Sequence, residues 1–595
     1  MPAAHTPIRY RIAPLDAHAH LYEVRVTLDD PDPAGQRFRL PTWIPGSYLI
    51  REFARHFVSV RAECAGSPVG IEKIDKNTWA AAPCDGPLTV VSHIYAYDLS
   101  VRAAYLDETR GYFNGAVVFM YPDGRESAPC TLEIVPGRHP SWRVATTLPR
   151  ATAAPHGFGL YGAASYDELI DHPVETSDFA LANFEASGVP HEIAVTGRHD
   201  ADLGRVARDL ARVCRWQIDL FGEAPFHRYL FQVTAVGDGY GGLEHRSSTS
   251  LLCRRDELPH AANGDIDDDY LTFLGLASHE YFHAWNVKRI KPAAFVPYDL
   301  TREAYTRQLW AFEGWTSYYD DLALVRCGLI EPARYLELLG RAITYVARGA
   351  GRRLQSVADS SFDAWIKFYR PDENSPNAVV SYYQKGSLVG LALDLSLRRE
   401  GRATLDDLMR ALWQRYGRSG AGVPEDAIGR LASEIAGRDL SDFFARYVDG
   451  TEDPPLPELL SAFGVTLHMR AASGAKDRGG KPAGGPMPRC TLGVRLGADA
   501  KLAVVTPDGP AARAGLSAHD TLVAVAGLKA TPERIATLLS RHSPGETIGV
   551  HAFRRDELMT FRVTLDAAPE DTCYLTLDAS PAGAVEQRRN AWLKG

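Results

Sequence analysis

Apolar and polar positions alternate one by one through much of the first 170 residues. Tyr22-Glu23-Val24-Arg25-Val26-Thr27-Leu28 changes face at every step, which predicts a half-buried strand. Leu88-Thr89-Val90-Val91 and Ala116-Val117-Val118-Phe119-Met120 read the same way between turn residues. Residues 1–170 are therefore expected to form an all-β domain. From about residue 171 the period lengthens. Residues 203–220 carry apolar positions at helical spacing, 229–236 read as a strand, and 270–285 and 308–325 read as helices. This makes 171–335 an α/β domain. Residues 336–463 read as successive helices, 388–398 and 405–416 among them. Residues 464–568 return to short strands around one helix near 532–540. Inside that stretch, 471–489 is rich in Gly, Pro, Lys and Ala and reads as a flexible loop. Residues 569–595 are expected to be a tail. The fold class is multidomain α+β, with no internal repeat.

Composition narrows the function. The chain has 595 residues, 45% hydrophobic and 23% charged, which excludes a disordered, collagen-like or coiled-coil bulk. Its 65 basic and 74 acidic side chains leave a net charge of −9, and no domain carries a nucleic-acid-binding surplus of Lys and Arg. No apolar run reaches the roughly 18–20 residues that span a bilayer. Residues 1–5 do not open a secretory leader, so a cytoplasmic location is expected, with the periplasm as the alternative. Eight cysteines are scattered without a C-x-x-C pair, which gives neither a disulfide framework nor a thiolate metal site.

The chemistry concentrates at His279-Glu280-Tyr281-Phe282-His283. Histidines at i and i+4 lie on one helix face and can share one Zn²⁺. Glu280 between them is placed to take a proton from a water activated at the metal. A zinc site needs a third protein ligand. Glu313 is selected because it sits in Leu309-Trp310-Ala311-Phe312-Glu313-Gly314-Trp315, where a lone carboxylate is costly unless it is paired or bound to metal. Glu303 is the rival, in the polar helix start expected at Thr301-Arg302-Glu303-Ala304.

His-Glu-Tyr-Phe-His followed by Glu313-Gly314-Trp315-Thr316 resembles the gluzincin metallopeptidases, including the aminopeptidase N family. The continuation HEYFHAWNVKRIKP over 279–292 resembles the glycyl aminopeptidase family more narrowly. So does Pro41-Thr42-Trp43-Ile44-Pro45-Gly46-Ser47-Tyr48 with Arg51-Glu52-Phe53. The resemblance implies an N-terminal β domain, a thermolysin-like catalytic domain, a helical domain and a C-terminal PDZ domain. It implies one zinc per chain and removal of N-terminal residues, Gly and Ala preferred, from peptides with a free N-terminus. The stretch from His283 to Glu313 is longer than the aminopeptidase N pattern. Glu303 lies nearer that spacing but lacks the Glu-Gly-x-Thr context.

The same resemblance assigns further residues. Gly241-Gly242-Leu243-Glu244-His245 is similar to the Gly-x-Met-Glu-Asn exopeptidase motif, with Leu for Met and His for Asn. Glu244 would then hold the substrate amine, Gly241 and Gly242 would let substrate backbone approach, and the role of His245 stays open. Tyr382-Tyr383-Gln384-Lys385-Gly386 is similar to the segment that supplies an oxyanion donor, with Tyr383 as that donor and Tyr382 as its neighbour. Gly237-Asp238-Gly239-Tyr240-Gly241-Gly242 also matches G-x-G-x-x-G, but Ser247-Ser248-Thr249-Ser250 after it favours a strand, not the helix that a dinucleotide site needs. Leu492-Gly493-Val494 resembles a PDZ carboxylate loop, a site for a C-terminal peptide. The expected function is a zinc aminopeptidase. The alternatives are a zinc endopeptidase with PDZ-recruited substrates, and a PDZ binding module with a vestigial metal site.

Overall fold

Alternation at 21–28 becomes a strand, Leu21–Leu28, with Tyr22, Val24, Val26 and Leu28 buried. It pairs antiparallel with Ile8–Asp16 on one side and Leu88–Tyr95 on the other, inside a seven-stranded sheet. Two four-stranded sheets complete this β region, and one contains Val174–Ser177, so β structure runs past residue 170. The computed structural model describes residues 6–260, 264–401, 403–485 and 487–595. Residues 1–5, on which the expected lack of a leader rests, lie outside the described residues. The strand expected at 116–120 is instead a single helical turn, Gly115–Val118, with every residue buried. A run apolar on all faces carries no period, so its pattern could not separate strand from helix.

The catalytic sheet is mixed. Strands β1 (Ala180–Ala186), β2 (Val189–Thr196), β3 (Tyr229–Val236), β4 (Gly241–Glu244) and β5 (Ser248–Arg254) lie in the order β1-β2-β3-β5-β4. β2, β3 and β5 run parallel, and β4 closes one edge antiparallel to β5. Helix α1 (Leu203–Phe221) buries its apolar stripe between β2 and β3 in the chain. Helix α2 (Asp268–Phe282) follows β5. All of this belongs to one compact unit, the chain up to Tyr305 with Leu412–Val423.

The second unit holds Thr306–Ala411 and Pro424–Gly595, so the break falls before residue 336. The helix expected at 308–325 is two, α3 (Leu309–Phe312) and α4 (Gly314–Arg326), meeting at Glu313. α4 belongs with the helices beyond it. A Cβ on Gly314 would stand 2.6 Å from Gly386 Cα, so two glycines let α4 meet a later helix backbone to backbone. Helix α5 (Pro332–Arg348) and that later helix, α6 (Gln384–Glu400), follow.

Two C-terminal expectations are corrected. Val465–Arg470 pairs with Thr572–Leu577, not with the strands at 490–565. That two-stranded piece is fastened to α5, where Thr344 Oγ1 accepts from Cys573 N at 2.8 Å. Residues 569–595 are no tail. Helix α7 (Gly583–Leu593) buries Trp592 completely, and its indole donates to Tyr318 Oη at 3.0 Å. The described part of the 471–489 loop, residues 471–485 and 487–489, is irregular but pinned: Asp477 accepts from Arg470 at 2.6 and 3.1 Å, and Gly480 N donates to Cys573 O at 2.8 Å. Residues 490–565 enclose a separate core that includes Leu502, Leu522, Val550 and Val563. Among the described residues, no helix is long and apolar enough to cross a membrane.

Candidate active site

Helix α2 starts where Asp267 accepts from Tyr270 N at 2.8 Å, with Asp268 and Asp269 in the first turn favoured by the helix dipole. Leu271, Phe273, Leu274 and Leu276 bury its body. Its last turn delivers His279, Glu280 and His283. The two imidazoles are near perpendicular, with ring centres 4.7 Å apart. His283 Nδ1 lies 2.6 Å from the Asn286 carbonyl oxygen. That contact assigns the proton to Nδ1 and makes Nε2 the metal-directed donor. The carbonyl is supplied by a tight turn in which Lys288 N donates to His283 O at 3.0 Å.

Strand β4 faces this helix end. A Cβ on Gly242 would stand 2.0 Å from Glu280 Oε1, so the bare backbone of Gly242 is the space in which Glu280 lies. Its missing side chain makes room for the base, where the sequence suggested room for substrate. The Gly242 carbonyl accepts from Arg102 Nη2 at 2.9 Å. Gly241 is looser, since a Cβ there would meet Arg102 and Val101 at 3.7 Å. Glu244 ends the strand and is 3% exposed. Glu244, Glu280 and His283 offer ligand atoms that all lie within 4.8 Å of one another. The G-x-G-x-x-G run enters β4 and no helix begins there, so it lacks the amides that a pyrophosphate needs.

His245 packs inward. Its Nδ1 lies 3.2 Å from Asp171, which also accepts from Lys288 Nζ at 2.8 Å and from Arg246 Nε at 3.0 Å. Burial pushes the Asp171 carboxyl up, but Lys288, the His245 bond and Arg246 outweigh it and hold the group well below the usual carboxylate range. Burial pushes His245 below its ordinary value against the pull of Asp171. Sequence reasoning missed this cluster. Lys288 lies in the HEYFHAWNVKRIKP segment, but nothing local to it points to Asp171.

In the second unit, Glu313 is 2% exposed at the α3–α4 junction. A Cβ on the next residue, Gly314, would stand 2.8 Å from Tyr382 O, which places the junction beside the Tyr382-Tyr383 segment. Tyr382 is fully buried, whereas Tyr383 is half-buried at the start of α6. The Tyr383 ring stacks on Tyr382 with centres 4.7 Å apart, and its Oη lies 2.8 Å from Tyr369 Oη. Lys385 is structural, donating to the carbonyls of Arg352 and Thr451 at 3.1 and 2.9 Å. Glu303 sits in irregular backbone, and the helix start expected around it does not form.

Paired histidines one turn apart, a glutamate between them and a mixed sheet beside them define a hydrolase of the metallopeptidase type. Comparison with known proteins agrees. The M61 peptidase N-terminal domain matches residues 9–178, and the M61 glycyl aminopeptidase domain matches residues 272–389. An aminopeptidase N family protein from Idiomarina loihiensis is 42% identical, covering 98% of this chain and 100% of the other, with a TM-score of 0.95. An M1 zinc metallopeptidase from Deinococcus radiodurans is 15% identical, covering 76% and 95% of the two chains, with a TM-score of 0.49. A mutant of it bound to a Tyr-Ser-Ala substrate gives 15%, 76%, 96% and 0.48. Comparison with curated proteins gives no match. The chain belongs to the M61 glycyl aminopeptidase family and is a peptidase, a hydrolase of peptide bonds.

Proposed function

We propose that the protein is a zinc-dependent aminopeptidase that removes N-terminal residues, Gly and Ala preferred, from peptides. The observation that carries this reading is the second carboxylic side chain, Glu244, in the cluster of Glu244, Glu280 and His283. A metal and a base account for His283 and Glu280. Glu244 is buried at the end of β4 within reach of both, where its carboxylate can receive a substrate ammonium in a charge-assisted hydrogen bond.

The residues present fit zinc. His283 is oriented through Nδ1 in the manner of a metal-binding imidazole, and His279 stands one turn away. His279, His283 and Glu313 are read as a ligand set of the His₂Glu kind from the order His279-Glu280-Tyr281-Phe282-His283 and then Glu313-Gly314-Trp315-Thr316 in the sequence. Zinc, when bound there, supplies Lewis acidity toward a water and a carbonyl oxygen. Glu280 accepts the proton of the attacking water and returns it to the leaving nitrogen. Tyr383 donates a hydrogen bond to the oxyanion that develops. Glu244 holds the α-ammonium and so fixes which peptide bond is cut.

The C-terminal module is read as PDZ-like. Leu492 is buried, and Gly493 takes φ +70° beneath Pro510, whose Cδ would lie 3.0 Å from a Cβ there. Leu492, Gly493 and Val494 would present the loop for a terminal carboxylate.

The test compares a glycyl amide with its N-acetylated form. The aminopeptidase reading expects hydrolysis of the free amine and a loss of at least about 100-fold on acetylation, since an acetylated nitrogen brings no positive charge to the Glu244 carboxylate. Equal hydrolysis of the two would establish the endopeptidase reading instead.

A further inference from the structure

Ile44-Pro45-Gly46-Ser47 is a tight turn closed by Ser47 N donating to Ile44 O at 3.0 Å. Gly46 has φ +91°, and Pro45 precedes it, the residue pair that suits the two central positions of a type II turn. The turn is rigid. Arg51 braces it by donating to Ser47 Oγ from Nε at 3.0 Å and from Nη2 at 2.8 Å. Its flanks are tied to the chain beyond α2, where Thr42 N donates to Leu300 O at 2.8 Å and Trp43 Nε1 to Asp299 O at 2.9 Å. Tyr48 stacks on Phe295 with ring centres 5.9 Å apart.

The tip of this turn meets Glu244. A Cβ on Gly46 would stand 2.5 Å from both Oε1 and Oε2 of that carboxylate. Gly46 Cα therefore covers the end of Glu244, just as Gly242 makes room for Glu280. A braced turn with nothing beyond its Cα is a wall that fixes where a carboxylate can point. We propose that Gly46 is a positioning residue for amine recognition: the turn from the N-terminal β region holds the Glu244 carboxylate at the angle that receives the substrate's α-ammonium. This inference rests on the reading of Glu244 as the amine anchor.

The test is a set of variants assayed with glycyl p-nitroanilide, with bound zinc measured for each. Gly46→Ala puts a methyl group where the carboxylate lies. Alanine at φ +91° strains the turn as well, but the Arg51 brace and the ties to Leu300 and Asp299 hold it and the clashing atoms end a flexible side chain, so the expected result is a folded protein with unchanged zinc, KM raised roughly tenfold or more, and kcat within about twofold. Glu244→Asp withdraws the carboxylate by one methylene and raises KM by itself. In Gly46→Ala/Glu244→Asp the shorter side chain clears the new methyl, so KM falls below that of Gly46→Ala. A role confined to the stability of the turn would not give that rescue. Unchanged KM in folded Gly46→Ala overturns the inference, as do losses that multiply in the double variant. If Gly46→Ala does not fold, Arg51→Ala loosens the brace instead. It should raise KM several-fold at constant kcat, and an unchanged KM there overturns the inference. Glu244→Ala separates the two levels. Unchanged KM in Glu244→Ala removes the amine anchor and this inference together, whereas raised KM there with normal Gly46→Ala removes this inference alone.

Discussion

Glu280 and Gly242 work as a pair, although one is on a helix and the other on a strand. The base lies 2.0 Å from where a Gly242 Cβ would be. Glu280→Gln keeps the shape and removes the proton acceptor, so kcat should fall about 10²–10⁴-fold with bound zinc unchanged. Gly242→Ala should push Glu280 away and lower kcat in the same direction in a protein that still folds. Single-turnover rates with zinc content check both, and near-normal turnover of either variant would contradict the assignment of the base. The histidines and Glu280 are legible in the sequence because a four-residue spacing brings both imidazoles to one helix face with Glu280 next to the first. Gly46 and Asp171 are not, because each acquires meaning only through Glu244 or through His245 and Lys288, residues distant in the chain.

Helix α4 begins at Gly314, next to Glu313, and is held further along by α7. Tyr318 Oη accepts from the Trp592 indole at 3.0 Å, and Arg326 Nε donates to the Trp592 carbonyl at 2.8 Å. Trp592→Ala should cost about 3–5 kcal/mol of stability, as other buried tryptophan truncations do, read as a lowered urea midpoint. A shift below about 1 kcal/mol would show α7 to be dispensable. The pattern hid this helix because only Trp592 and Leu593 of Gly583–Leu593 are buried. It hid the turn at Gly115–Val118 for the opposite reason, since burial there is complete. Leu21–Leu28 and α1 came through cleanly because alternation or a helical stripe survives where one face meets the core, and β3, buried on both faces, came through as a short apolar run rich in aromatic and β-branched residues.

Within the first unit, Asp171 ties the β region to the catalytic region. It follows a helix of the former and gathers His245 and Arg246 after β4 and Lys288 after α2. Its folded pKa is depressed, so its stabilising contribution is complete above the unfolded value near 3.9 and is lost as pH falls through the folded value. Asp171→Asn leaves Lys288 buried beside a neutral group and should cost about 3–5 kcal/mol at pH 7. The gap between the two proteins should narrow below about pH 4, by roughly 1.4 kcal/mol per pH unit. Urea midpoints at pH 7 and pH 3 check this, and a gap that stays constant would show that Asp171 is not the acid-sensitive tie.

The central claim is a metal-dependent aminopeptidase. The most direct measurement is hydrolysis of glycyl and alanyl p-nitroanilides before chelation, after chelation and after zinc is restored. Activity should be lost on chelation and regained with zinc. Activity that survives complete removal of the metal, or its absence from a protein shown to hold stoichiometric zinc, would contradict it.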